Sequence, residues 1–229
     1  MDEIIETMEL PLFPLNTVLF PGQLLPLHIF EERYRLMIRH CLAQDLPFGV
    51  VLIKRGQEVG AMAEPHNVGT MARIIESTHL HNGAMNIVTV GVERFRIRRL
   101  LGGQPYLRGE VQSLPMAGLD EAEALAGTAS HVREQVAQYI SLISDAAGLQ
   151  IQVDEIPSTP QQTGYLAAVT MQIDNREKQD LLGATTLAQM LRREVSLLNR
   201  ENALLTWMSG SKEWPESVQF GFSGTLMPN

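Results

Sequence analysis

The chain has 229 residues, 45% of them hydrophobic and 19% charged, which supports a folded core and argues against wholesale disorder. Its net charge, 18 − 26 = −8, repels nucleic-acid backbones and anionic lipid surfaces at long range, and its single cysteine, Cys41, excludes an intrachain disulfide. The acidic start, Met1-Asp2-Glu3, is unlike a signal peptide, and the densest apolar run, Gly49-Val50-Val51-Leu52-Ile53, is too short to span a bilayer, so a cytoplasmic protein without membrane contact is expected.

In chain order, Leu10-Pro11-Leu12-Phe13-Pro14-Leu15 and Val18-Leu19-Phe20-Pro21-Gly22 are two short apolar pieces. Proline cannot donate to a ladder, so both are expected as edge strands or strand ends around a turn at Asn16-Thr17. Residues 31–44 are expected as a helix, with Leu36, Met37, His40 and Cys41 recurring at three- and four-residue spacing. Residues 48–54 read as a buried strand. Asn82-Gly83 favours a two-residue type I′ turn and sets a hairpin between 68–81 and 84–100. Such a loop opposes Leu80 to Met85, Thr78 to Ile87 and Ile75 to Val90, and the length of the second arm calls for a bulge near Gly91. After Gly102-Gly103 a strand is expected over 106–114, with Tyr106, Arg108, Glu110 and Gln112 on one face and Leu107 and Val111 on the other.

Near residue 117 the composition shifts to Ala, Leu, Glu and Gln at helical spacing. Leu125, Val132, Val136, Tyr139, Ile140 and Ile143 form one stripe, which Gly148 can end. Thr159-Pro160-Gln161-Gln162 is a capping-box start, with Tyr165, Val169 and Ile173 following on one face. Asp174 with Glu177 opens a short helix ending near Gly183. Thr186 with Gln189 opens the last, striped by Leu187, Leu191, Val195, Leu198 and Leu205. The expected organisation is a β-rich part over 1–117, a helical part over 118–208 and a tail over 209–229, flexible or docked on the body.

Few residues offer chemistry. His79 and His81 share a strand face, and a metal would need Glu76 or His66 as well; residues beside a turn are the plainer reading. His40 and Cys41 are helical neighbours and do not face each other. Arg94, Arg96 and Arg98 alternate with Phe95 and Ile97, so they are expected to share one strand face. That face is either a basic stripe for RNA phosphates or acidic partners, or a solvated face paired with acids; the net charge favours the second. Glu31-Glu32-Arg33-Tyr34-Arg35 is either a partner surface or a helix start with acids at its dipole. Phe13, Phe20 and Phe30 read first as core, although proline-bounded edges also leave backbone groups open to strand addition. No G-x-x-x-x-G-K-[ST] loop is present to cradle ATP phosphates. No catalytic residue, metal ligand or cofactor is assigned; the candidate partner-binding residues are Phe13, Glu32, Arg33, Tyr34, Arg94, Arg96 and Arg98.

Several of these pieces together resemble a known family. Residues 10–15 and 18–22, His28-Ile29-Phe30-Glu31-Glu32-Arg33-Tyr34, Val68-Gly69-Thr70-Met71-Ala72-Arg73-Ile74, Asn82-Gly83, Gly91-Val92-Glu93-Arg94-Phe95-Arg96-Ile97 and Arg176-Glu177-Lys178-Gln179-Asp180-Leu181-Leu182 stand in the order seen in the N-terminal domain of Lon proteases. The resemblance covers roughly residues 8–205 and implies an α+β fold: a PUA-like β pseudo-barrel followed by a helical bundle. It further implies a protein-binding module for unfolded or tagged segments, working through a patch or groove between the two parts. Without a phosphate loop or a Ser–Lys protease domain, the chain is not expected to be an enzyme. RNA or small-ligand binding by a PUA-like domain, and an adaptor docking on a separate protease or chaperone component, are the alternatives.

Overall fold

In a computed structural model the described residues are 7–58, 63–121, 123–147, 157 and 159–211. They divide into two units. The first takes those up to Pro115 together with Asn175–Gly183, and the second takes those from Met116 to Asp174 and from Ala184 onward.

The first unit is built on six strands, β1 (Met8–Leu15), β2 (Leu24–Ile29), β3 (Phe48–Arg55), β4 (Glu64–His79), β5 (Met85–Leu101) and β6 (Leu107–Ser113), with helix α1 (Glu32–Gln44) between β2 and β3. The sheet order is β2-β5-β4-β3-β1-β6, and β5 also pairs β6. Five strands therefore close a circuit, β5-β4-β3-β1-β6, and β2 flanks the first half of β5 outside it. The sheet is mixed, because β1 runs parallel to β3 and antiparallel to β6. The pseudo-barrel and the α+β class expected from the sequence are what the chain forms.

β1 is an interior strand, not the edge expected from its prolines. It pairs β6 over Met8–Leu12 and β3 over Leu12–Leu15, so Leu12 alone is paired on both sides. Pro11 and Pro14 each sit where one flank needs no hydrogen bond, which reconciles the prolines with a central position. The expected second piece is a buried turn: Val18, Leu19 and Phe20 are inaccessible, and Thr70 Oγ1 donates to the Leu19 carbonyl at 2.5 Å. β2, with Pro26 in its middle, carried no clear sequence signal.

The β4–β5 hairpin is shifted by one residue from the expected register. His79 opposes Met85 and Ser77 opposes Ile87. Gly83 N donates to Leu80 O, Leu80 N donates to Ala84 O, and only Gly83, at φ +78°, adopts positive φ. That is a three-residue loop with a left-handed glycine, not a type I′ pair, and a one-residue slip exchanges the strand faces. The expected bulge near Gly91 is present, between the pairs Thr70↔Arg94 and Ala72↔Gly91. There Gly91 N donates to Gln23 O and Gly22 N donates to Gly91 O, and a Cβ on Gly91 would collide with the Phe20 carbonyl.

Each face of the sheet carries a buried cluster. Leu10, Leu12, Val51, Met71, Phe95 and Val111 pack together on the inner face. A Cβ on Gly49 or Gly69 would lie 2.6 and 2.8 Å from Phe95 Cζ, so this ring fills a space that only glycines leave free. On the opposite face Phe13, Leu15, Phe48, Val50, Met85 and Ile87 meet Tyr34, Met37, Ile38 and Cys41 of α1. Tyr106, expected on the polar face of its strand, belongs to this cluster, and Leu36 and His40, expected on the helix's apolar stripe, are exposed.

Helix α4 (Asn175–Leu182) belongs to the sheet unit. Gln179 Nε2 donates to Val68 O at 3.1 Å and Asn175 Nδ2 donates to Asn16 O at 2.6 Å. The second unit contains α2 (Ala126–Ala147), α3 (Pro160–Thr170) and α5 (Leu187–Ser211). Thr159 caps α3 by accepting from Gln162 N, and Thr186 Oγ1 accepts from Gln189 N at 3.2 Å, as the capping residues imply. Val132, Val136, Tyr139, Ile140 and Ile143 of α2 are buried as expected. On α5 the buried stripe is Leu187, Met190, Leu191, Glu194, Leu197 and Leu198; Val195 and Leu205 lie only partly within it. The expected tail falls outside the described residues from 212 onward.

Candidate recognition surface

The seven candidate residues fall in two places. Phe13 is buried with its ring centroid 4.1 Å from that of Tyr34, and Tyr34 is buried too. The Arg33 guanidinium lies over the Tyr34 ring at 4.5 Å and pairs with Glu31 at 3.1 Å. Burial, the largest influence, raises the Tyr34 phenol above its ordinary range, opposed by Arg33. Phe13 and Tyr34 thus anchor α1 to the sheet. Of the candidates around α1, Glu32, which opens the helix, is the exposed one.

The arginine stripe does not form as expected. Arg94 is 2% exposed, and its Nη1 donates to the Leu182 carbonyl of α4 at 2.8 Å. A second bulge on β5, between the pairs Ile97↔Val111 and Arg99↔Glu110, breaks the alternation that would align Arg94 with Arg98. Arg98 Nε donates to Gln112 Oε1 at 2.8 Å, and Arg99 pairs with Glu110 at 2.9 Å. Arg96 is half-buried. Arg108 pairs with Glu9 and donates to Gly102 O at 2.8 Å. Acids of neighbouring strands thus match Arg99 and Arg108, while Arg98 meets a neutral amide and Arg94 a helix carbonyl.

Cys41 faces the core and His40 faces solvent; burial pushes the Cys41 thiol up to about 11, away from the reactive thiolate. Among the described residues no group of three His, Cys, Asp or Glu is placed to hold a metal ion.

What the sheet unit does present is apolar. Phe30 (54% exposed), Leu36, Leu42 and Leu46 are all accessible along the segment from the end of β2 through α1 to the start of β3. The ring of His28 stacks on Phe30 at 6.0 Å. α1 explains the arrangement: Tyr34, Met37, Ile38 and Cys41 consume its inward face, so Leu36 and Leu42 fall outside it. In the helical unit, Leu204 and Trp207 are exposed one turn apart on α5.

The first unit is a small closed mixed sheet backed by a helix, the second is helical, and the sheet unit exposes large apolar side chains from the end of β2 through α1. The chain belongs to the ATP-dependent protease La (LON) substrate-binding domain family, whose model matches residues 9–200. Its relatives include a Lon protease of Anaeromyxobacter dehalogenans, 25% identical over 198 residues, covering 86% of this chain and 24% of that protein. Lon protease 2 of Myxococcus xanthus is 26% identical over 198 residues, again covering 86% and 24%. The chain thus spans about a quarter of the length of the curated relatives it matches. Among solved structures, a Lon N-terminal domain protein from Xanthomonas campestris is 25% identical with a TM-score of 0.63, covering 82% of this chain and 98% of that one. The N-terminal domain of a Mycobacterium avium complex Lon protease shares the fold, with a TM-score of 0.62 over 86% of this chain and 98% of that one. No helix among the described residues is long and apolar enough to cross a membrane.

Proposed function

We propose that this chain is a non-catalytic recognition module that acts in the cytoplasm and binds exposed apolar segments of unfolded or tagged proteins. A separate protease or chaperone component would process what it captures. The observation that carries the reading is the set Phe30, Leu36, Leu42 and Leu46, large apolar side chains left accessible in one stretch of a chain whose family is defined by substrate binding. Burying such side chains against a substrate gains roughly 25 cal/mol per Å² before ordering costs, which suits weak, reversible capture. RNA binding is the weaker reading, because Arg94 is internal and Arg98 and Arg99 are engaged by Gln112 and Glu110.

The test is titration of the purified chain with a permanently unfolded polypeptide, followed by fluorescence anisotropy. Saturable binding is expected, and Phe30→Ser with Leu36→Ser should weaken it about tenfold. Absence of binding by a well-folded sample would sink the proposal.

A further inference from the structure

The outer side of α1 holds two cations that the fold leaves without counterions. Arg33 pairs with Glu31, but Arg35 and Arg39 form no ion pair with any described residue. Glu32, the exposed acid one turn before Arg35, reaches neither of them. The place where a side chain on Gly83 would begin is filled by the Arg35 guanidinium, with Cζ 3.0 Å and Nη1 3.5 Å away. The Arg35 Nε is buried there with no hydrogen-bond partner among the described residues. Shielded donors in folded proteins are ordinarily satisfied, so an orphaned arginine calls for a partner.

Arg35 and Arg39 are four residues apart on α1, so one stands about 6 Å beyond the other on the same side of the helix. Leu36 and Leu42 lie three residues before and after Arg39, and both are exposed. Phe30 flanks the other end. Ile29 pairs with Met85, which brings Phe30 beside Ala84, next to the glycine that Arg35 covers. Along α1 the surface therefore runs apolar, cationic, cationic, apolar.

We propose that the outer side of α1 binds an extended polypeptide segment with two acidic side chains, one on Arg35 and one on Arg39, and apolar side chains on either side that meet Phe30 and Leu42. The inference rests on the recognition reading above and narrows its substrate class. Alternate side chains of an extended segment share one side and repeat about every 6.7 Å, close to the spacing of the two arginines. A guanidinium takes a carboxylate through two parallel hydrogen bonds, and Arg35 is already held in place on Gly83, so little side-chain freedom is lost on binding. The chain's charge of −8 opposes acidic partners at long range, but salt screens that repulsion beyond about 8 Å, and the pairing acts at contact. A phosphate backbone has no apolar side chain for Phe30, Leu36 and Leu42, so a peptide fits this surface better than a nucleic acid does.

The probe is a fluorescent peptide of sequence Leu-Ser-Glu-Ser-Glu-Ser-Leu with both ends capped, compared with versions that carry glutamine or lysine in place of the two glutamates. Anisotropy titrations of the whole chain should show saturable binding of the glutamate peptide, about tenfold tighter than the lysine peptide, with the gap closing at high salt. The chain with Arg35→Gln and Arg39→Gln should bind all three peptides alike while keeping the native circular dichroism spectrum. The chain with Arg35→Glu and Arg39→Glu should reverse the order and prefer lysine, a result that loss of structure does not produce. Equal binding of the three peptides by the parent chain overturns the proposal and leaves the recognition reading standing. Failure of the peptides and of every unfolded polypeptide to bind removes both. Tighter binding of the glutamine peptide with a free C-terminal carboxylate, or of oligouridylate, than of the capped glutamate peptide assigns the arginines to another ligand and overturns the proposal.

Discussion

Replacing Glu194 by glutamine should flatten the pH dependence of the helical unit's stability. Glu194 lies at the centre of the buried face of α5, 0% exposed, and among the described residues neither carboxyl oxygen has a hydrogen-bond partner. Gly164 of α3 faces it closely; a Cβ there would stand 3.2 Å from Oε2 and 3.5 Å from Oε1 and Met190 Cε. Burial holds this carboxyl well above the usual range, and among the described residues it is the one cause. The native state therefore keeps the proton that the unfolded chain releases near its ordinary value of about 4.3. The folded state binds more protons than the unfolded one above that pH, so stability is greatest below it and falls as pH rises, until the folded-state value is passed. The slope is about 1.4 kcal/mol per pH unit for one proton. Glutamine has nearly the same shape and no proton to lose. Urea unfolding followed by far-ultraviolet circular dichroism, across acidic to mildly alkaline pH, should show the E194Q chain gaining on the parent by about that amount per unit. An unpaired buried amide shifts the whole curve but not its slope. Parallel curves for the two chains would refute the assignment of a neutral, buried carboxyl.

Arg94→Gln should cost about 2–3 kcal/mol, because it removes a buried charged donor from the Leu182 carbonyl, and chemical denaturation measures it. Gly69→Ala should lose about 3 kcal/mol or fail to fold, since the added Cβ would stand 2.5 Å from the Val50 carbonyl; a soluble variant with unchanged melting temperature would contradict the packing. Cys41 should resist thiol reagents at mildly alkaline pH in the native state and react on unfolding, because its thiol is buried and pushed up to about 11.

Much of the architecture was legible from local chemistry. Capping residues Thr159 and Thr186 marked true helix starts, and the Gly91 bulge was written in the length of the second hairpin arm. What escaped depended on long-range pairing. Pro11 and Pro14 argue locally for an edge, and only the staggered pairing of β1 with β6 and β3 makes them tolerable inside the sheet. Asn82-Gly83 named the turn but not the loop length, and one residue decided the register. The arginine stripe failed because Arg94 is buried against Leu182 of α4 and a bulge between Ile97 and Arg99, invisible in composition, ended the alternation before Arg98 could join it. Glu194 was visible in spacing, lying between Leu191 and Leu198 on one stripe, but an acid there reads as a break in the pattern. The candidate surface was least legible of all, since exposure of Phe30, Leu36, Leu42 and Leu46 follows from which face α1 spends on the core.

The most direct measurement of the central claim compares binding of the chain to one protein in two states, folded and permanently unfolded, at equal concentration and salt. Recognition of exposed apolar segments requires saturable binding to the unfolded form and little or none to the folded form. Equal affinity for both, or binding to neither, would contradict it.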